Sequence, residues 1–453
     1  MIHPHPGGLD RGADRGSPDR RILTTLAILL VLGLAARIAV TTRAGWTRPP
    51  IPPSDASEYD SYAWNLAQDK GFSGISPDVF GPDGRLVVHL TAYRSPGVPV
   101  YWAVLYKLFG HRVAIVHISQ CVLDLLTILL VFGIGTKCFD HSVGLLAAGI
   151  YAVWPTALEY ASELGSETQY TLLLSAAILL ALVFAEQKTW APAIAAGTAL
   201  GLAMLTRGNA VLLVCMMFPW ALWQFRRTPA YALRGFAIPL IAMALSVPWA
   251  IRNYAVFHAF IPFQTEGGDT LLGSHNRITA YDPEFYGYWI YPEPTLTEYT
   301  AQLRASNNEY LRDRVETRLA AQWLRSHPDT WWYFIQAKFR RSWTPFLQSH
   351  APRLDRAAML LSWGPVLLLF ALGVVPSAVF FLRTNHPGWL LHLGILHFVL
   401  TAEIFYGASR FRFPVEPLCI VIACATLLWT SKMLNPRLRA VRGGTLSGAQ
   451  QDS

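Results

Sequence analysis

Apolar stretches close to twenty residues long recur along this chain, which is the length an α-helix needs to cross the hydrocarbon core of a bilayer. The first covers 22–40, and others follow at about 113–136, 142–158, 168–186, 190–206, 209–225, 235–257, 359–382, 388–406 and 412–430. Charged residues make up 15% of the sequence and hydrophobic ones 53%, with a mean hydropathy of +0.30. A soluble protein carries about 25% charge. The pattern predicts an all-α, polytopic membrane protein of about ten transmembrane helices. It excludes a soluble enzyme, a disordered chain and a nucleic-acid binder, so no nucleic acid is expected as a partner. The net charge of +8 sits mostly between the apolar runs, where Lys and Arg act as topology signals. The five cysteines, Cys121, Cys138, Cys215, Cys419 and Cys424, fall in or at the ends of apolar runs and have neither disulfide-framework nor metal-ligand spacing.

Arg11, Arg15, Arg20 and Arg21 precede the first run, which is long for a signal-peptide core and lacks a clear small-residue cleavage site. A cytoplasmic N-terminus is therefore expected. Alternate threading then places Lys137, Lys188, the group Arg226, Arg227 and Arg234, and Arg383 inside, together with a tail holding Lys432, Arg437, Arg439 and Arg442. The expected organisation is a cytoplasmic tail over 1–21 and an N-terminal membrane module over 22–257 with a first outer loop at 41–95. A long outer loop follows over 258–358, then membrane helices over 359–430 and a cytoplasmic tail over 431–453. Both long loops are non-cytoplasmic and carry interfacial helices. The polar residues that stand out all fall on the outer side. A catalytic cavity open to the exterior would collect them there, whereas an inverted-repeat transporter would hold them at the midplane.

In the first outer loop, Tyr59, Tyr62, Ala63 and Leu66 have helical spacing and predict a short surface helix. Asp55 at its start is either its N-cap or a general base above an apolar surface, with Glu58 and Asp60 near enough to share the work. Arg94 precedes a Pro-Gly-Pro turn at the membrane boundary, where it either snorkels or grips a phosphate. Glu167 either caps the next helix or pairs, as Glu163 can, with Arg207, a cation that ends a span against the positive-inside bias. In the long loop, Trp331, Trp332, Lys338, Arg340, Arg341 and Trp343 suit a helix on anionic lipid headgroups. Asp124 lies within an apolar run, and Gln120 one turn earlier is its candidate partner.

Asp55, Tyr59, Ala63, Leu66, Gly71 and Phe72 resemble the first outer loop of polyprenyl-phosphate-dependent glycosyltransferases of the GT-C superfamily. Within it, the protein O-mannosyltransferase and lipid A aminoarabinose transferase group is most similar. Further matches follow in order: Arg94-Ser95-Pro96-Gly97-Val98-Pro99, the Ser-Glu segment 162–168, Gly201 to Arg207, and Pro248-Trp249-Ala250-Ile251-Arg252-Asn253-Tyr254. A Gly267-Gly268 pair and a basic-aromatic turn, Arg410-Phe411-Arg412-Phe413-Pro414, complete the series. The acids here are spaced as Asp55, Glu58 and Asp60 rather than adjacent, which leaves open which one is the base.

The resemblance implies an inverting glycosyltransferase. With no long insertion and no retention signal in the sequence, an inner (plasma) membrane is expected, and the Lys and Arg distribution puts the active site on the periplasmic or exterior side. The implied donor is a polyprenyl-phosphate-linked sugar, and the implied acceptor a hydroxyl of an envelope lipid, glycan or protein. Asp55 is the expected base, with Glu58 and Asp60 as alternatives. Arg94 and Arg252 are expected to bind the donor phosphate, with Arg207, Arg410 and Arg412 as further candidates. Tyr59, Glu163, Glu167 and Asn253 are expected to line the cavity. No cofactor and no metal are expected. A lipid-linked sugar flippase, with Asp124 as its best support, is the alternative.

Overall fold

The computed structural model describes residues 20–80, 86–306, 308–345 and 353–434. The tails expected in the cytoplasm, 1–21 and 431–453, fall almost wholly outside the described residues. The N-terminal half runs α1 (Arg20–Ala44), α2 (Asp55–Ala67), a hairpin of β1 (Ser73–Phe80) and β2 (Leu86–Leu90), α3 (Gly97–Phe109), α4 (Val113–Cys138), α5 (His141–Ala152), α6 (Pro155–Ser162), α7 (Glu167–Gln187), α8 (Trp190–Thr206), α9 (Val211–Gln224), α10 (Pro229–Gly235) and α11 (Ala237–Phe257). The second half has α12 (Gly267–Ser274), α13 (Glu309–Ser326), α14 (Trp331–Trp343), α15 (Arg353–Thr384), α16 (Leu390–Ile404) and α17 (Glu416–Leu434), with shorter turns between them.

Among the described residues, seven helical segments are long and apolar enough to cross a bilayer. The span expected at 142–158 is broken instead into α5 and α6, bent by 51°. Pro155 opens the second piece; a proline fits the first turn of a helix but not its interior. The helices at the positions of two further expected spans, Trp190–Thr206 and Gly208–Gln224, are apolar but shorter. The protein is an all-α, multi-pass membrane protein, with the small antiparallel hairpin as its one β element among the described residues.

Burial varies along the bundle as expected for helices in lipid. The Ser409–Leu434 segment is 67% buried and the Arg20–Ala44 helix only 11%. The apolar side chains that α1 leaves exposed, Leu23, Ile28 and Val31 among them, face outward, where hydrocarbon is as good a solvent as a protein core. The one protected stripe of α1 is Leu26, Gly33, Arg37 and Thr41, spaced by one or two helical turns. On it, Arg37 is fully buried and pairs with Asp124 of α4, Nε to Oδ2 at 2.7 Å. Tyr151 of α5 donates to the other Asp124 oxygen at 2.6 Å. Arg37 Nη1 also donates to the carbonyls of Gly33 and Ala152. Gln120, the partner expected for Asp124, donates instead to the Glu163 carbonyl. Asp124 is thus a three-helix clasp and not a member of the outer cavity.

Two features set the outer side. Gly97 lets the start of α3 lie against the end of α8, since a Cβ there would meet the Leu205 carbonyl and Thr206 backbone at 2.8 Å. The loop over 258–358 is more than a set of surface helices. Leu272, Ile290, Leu296, Leu303, Leu319 and Ala320 form a core of its own, with α12 packed on α13.

Candidate active site

Ser54, not Asp55, caps α2: its side chain accepts from Ser57 N, and Ser57 returns the bond to Ser54 N. That frees Asp55. Asp55, Glu58 and Tyr59 follow one another at helical spacing and share a face. Arg94, just ahead of α3, meets that face with every guanidinium nitrogen. Its Nε donates to Glu58 at 2.6 Å, its Nη2 to Asp55 at 2.8 Å, and its Nη1 to Glu266 at 2.5 Å. Glu266 immediately precedes α12 in the long outer loop.

The other Asp55 oxygen binds Arg410 Nη2 at 2.7 Å. Arg410 also donates to Glu167 at the start of α7, and Arg207 Nη1 reaches the same Glu167 oxygen at 3.3 Å. Arg207 lies 5.2 Å from the Phe411 ring centre. The N-terminal ends of α7 and of the last span thus meet the C-terminal ends of α8 and α16, all at one end of the bundle. There the ends of α8 and α16 and the start of the last span line a cavity of about 380 Å³, and Glu167 of α7, expected among the lining residues, stands behind it instead, held by Arg207 and Arg410. Asp55, Tyr59, Arg94, Arg207, Glu266 and Arg410 line it, with Phe263, Tyr406 and Phe411 among the apolar walls.

The electrostatics separate the acids. The Arg94 charge, with Arg410 behind it, holds the Asp55 carboxyl well below the usual carboxylate range although burial opposes this. Burial dominates at Glu58 and pushes it up to about 7 despite Arg94. Burial likewise raises Glu266. Four carboxylates thus face three guanidiniums.

The structure brings Asp55, Glu58, Tyr59, Arg94, Glu167, Arg207 and Arg410 together and leaves the other expected residues elsewhere. Asp60 lies five residues past Asp55, off the shared face, and accepts from Tyr106 at 2.6 Å and from His111 at 3.0 Å. Arg252 is not in the cavity. It donates to the carbonyls of Thr91 at 2.7 Å and Phe72 at 2.9 Å, with Trp249 5.0 Å below it, and so fastens the hairpin region to α11. Asn253 is buried beside it and holds the Ile261 carbonyl at 2.9 Å. Arg412 is two residues past Arg410, about 200° around a helical turn, and points into the core. There it pairs with Glu416 at 2.7 Å, donates to the Ser342 carbonyl and covers Trp363. Glu163 has an exposed side chain and does not line the cavity. Among the described residues no group of three or more His, Cys, Asp or Glu is placed to hold a metal ion.

The residue that sequence reasoning missed is Glu266. Its signal was its place directly before the Gly267-Gly268 pair, since Gly268 packs so closely on Asp313 that a Cβ would meet its carbonyl at 2.2 Å. That close approach fixes the loop that delivers Glu266.

Residues 93–251 match the family model described as dolichyl-phosphate-mannose-protein mannosyltransferase. No curated protein matches the chain in sequence. Among solved structures, the apo oligosaccharyltransferase of Archaeoglobus fulgidus is similar with a TM-score of 0.60 at 13% identity, over 94% of this chain and 52% of that one. The archaeal oligosaccharyltransferase AglB from Archaeoglobus fulgidus, in complex with an inhibitory peptide and a dolichol-phosphate, gives 0.58 at 14% identity, over 96% and 53%. The chain therefore spans about half the length of these structures, and at such identity the likeness is one of fold. The resemblance to the GT-C glycosyltransferases is thus matched by the mannosyltransferase family model over 93–251, and the chain shares the membrane fold of these structures over most of its own length.

Proposed function

We propose that the chain is an inverting glycosyltransferase that moves a sugar from a polyprenyl-phosphate donor to an acceptor hydroxyl. It works at the outer face of an inner (plasma) membrane. The observation that carries this reading is the single cavity in which the Asp55 carboxylate meets Arg94, Arg207 and Arg410. The short inner connections rich in Lys and Arg support an outward-facing cavity.

The chemistry follows from the charges. Arg94 is saturated by three carboxylates, so in this state it positions the acids. Arg207 and Arg410 are the cations that can turn to a phosphate. As the donor seats, its phosphate competes with Asp55 for Arg410. Losing that partner lets the Asp55 carboxyl rise toward its ordinary range and become a better proton acceptor. Asp55 then takes the acceptor O–H proton, and the acceptor oxygen attacks the anomeric carbon from the face opposite the phosphate. The sugar–phosphate C–O bond breaks with its electron pair passing to the leaving phosphate, where Arg207 and Arg410 meet the growing charge. The test is transfer of labelled sugar from a polyprenyl-phosphate donor, by the full chain in liposomes, onto envelope extract. A labelled glycan, lipid or protein product is expected. Movement of the donor across the membrane without any product would favour transport instead.

The pH dependence of donor use has a definite sign. Below about pH 7 Glu58 is largely protonated, and above it the carboxyl ionises beside Asp55 and Glu266. An extra negative charge beside the cavity, against the Arg94 that lines it, disfavours an anionic donor. The donor KM should therefore rise between pH 6 and 8, by up to about tenfold, and Glu58→Gln should flatten the profile. An equally steep rise in that variant would remove Glu58 as the cause.

A further inference from the structure

α14 has three faces. Phe334, Lys338 and Ser342 are buried against the protein. Trp331, Ile335 and Phe339 form an exposed apolar stripe, with Trp332 beside it, as suits a helix edge resting on lipid. On the far side from that stripe, Tyr333, Ala337 and Arg341 follow one another at four-residue spacing beside Gln336 and Arg340. They border a groove of about 440 Å³ closed by Tyr286 and Thr344. The groove therefore opens away from the lipid-facing stripe.

Its charge differs from that of the cavity. There, each guanidinium is matched by carboxylates. Here, among the described residues, no carboxylate lines the groove. Arg340 is exposed and has no ion pair among the described residues. Arg341 is held by neutral acceptors, the carbonyls of Tyr286 and Glu284. Two locally uncompensated guanidiniums stand beside two phenol rings that meet edge to face at 5.0 Å. Planar guanidinium forks bind phosphate or carboxylate in pairs, and the rings offer flat apolar faces with a polar edge. Two aromatic rings separate the groove from the cavity. Arg341 lies 5.2 Å from the Tyr288 ring, Tyr288 packs on Tyr406 at 5.7 Å, and Tyr406 lines the cavity.

We propose that this groove is a subsite for an acidic saccharide, one bearing phosphate or carboxylate, which anchors the acceptor while a neighbouring sugar hydroxyl reaches the cavity. Its role as an acceptor subsite rests on the glycosyl-transfer reading above; its ligand chemistry does not. The test uses the full chain in detergent micelles and ligand-observed NMR titrations with glucose 1-phosphate, glucose and inorganic phosphate. Glucose 1-phosphate should bind more tightly than either of the other two. Arg340→Gln, at an exposed side chain, should weaken it about fivefold or more, while Arg410→Gln and Asp55→Asn should leave it unchanged. An unchanged affinity in Arg340→Gln, or a loss only in Arg410→Gln, would overturn the site. Inorganic phosphate binding as tightly as glucose 1-phosphate would overturn its saccharide character. Failure of Asp55→Asn to affect transfer, with groove binding intact, would count against the proposed function and not against the groove.

Discussion

Asp55→Asn should lower the rate of sugar transfer by about 100-fold or more, the contribution of a positioned general base, while leaving the protein folded and the donor bound. The substitution keeps the shape and removes one charge. Arg94 retains Glu58 and Glu266, and Arg410 retains Glu167, so neither cation is stranded. Three carboxylates then face three guanidiniums, and an anionic donor meets less repulsion. The expected signature is therefore a fall in kcat with a donor KM that is unchanged or lower, which loss of a merely structural contact would not give. Asp60→Asn is the internal comparison. Its carboxylate serves Tyr106 and His111 away from the cavity, and transfer should persist. Full activity in Asp55→Asn would reject the base assignment.

The second large effect is on stability. Arg37→Met should destabilise the protein by about 3–5 kcal/mol, because it leaves the Asp124 carboxylate buried with only Tyr151 to hold it. Thermal unfolding of purified protein in one detergent would show this as a large drop in Tm. Replacing the whole clasp with apolar groups, as Arg37→Met with Asp124→Leu and Tyr151→Phe, should recover much of the loss, since no buried polar group is then left unpaired. A single variant as stable as the parent would mean that α1 is not held through this pair. The clasp also explains why an acid in the middle of α4 need not mark a transport path. Its partners come from α1 and α5, and it lines no part of the outer cavity.

The membrane architecture was legible because a bilayer demands long apolar helices, and that demand is written in runs of residues. The turn of α2 was legible too, for the same periodic reason. Partnerships across the bundle were not. Arg37 sits inside an apolar run, and only packing reveals that its stripe faces Asp124. Arg252 looked equivalent to Arg94, and Arg412 to Arg410, because each is an arginine at an outer helix end. The direction of a side chain around its helix decided otherwise, sending Arg412 into the core and Arg252 onto backbone carbonyls. Glu266 lay in a loop with no periodicity, and it enters the site only through the tight contact of Gly268 with α13. The bend at Pro155 was hidden because both halves are apolar.

The most direct measurement is a structure of the full chain in a lipid nanodisc with polyprenyl phosphate. The phosphate should lie within hydrogen-bond distance of Arg207 and Arg410, with the Asp55 carboxylate facing it across the cavity and freed from Arg410. A phosphate seated instead at Arg252, or at any face from which Asp55 cannot be reached, would contradict the account.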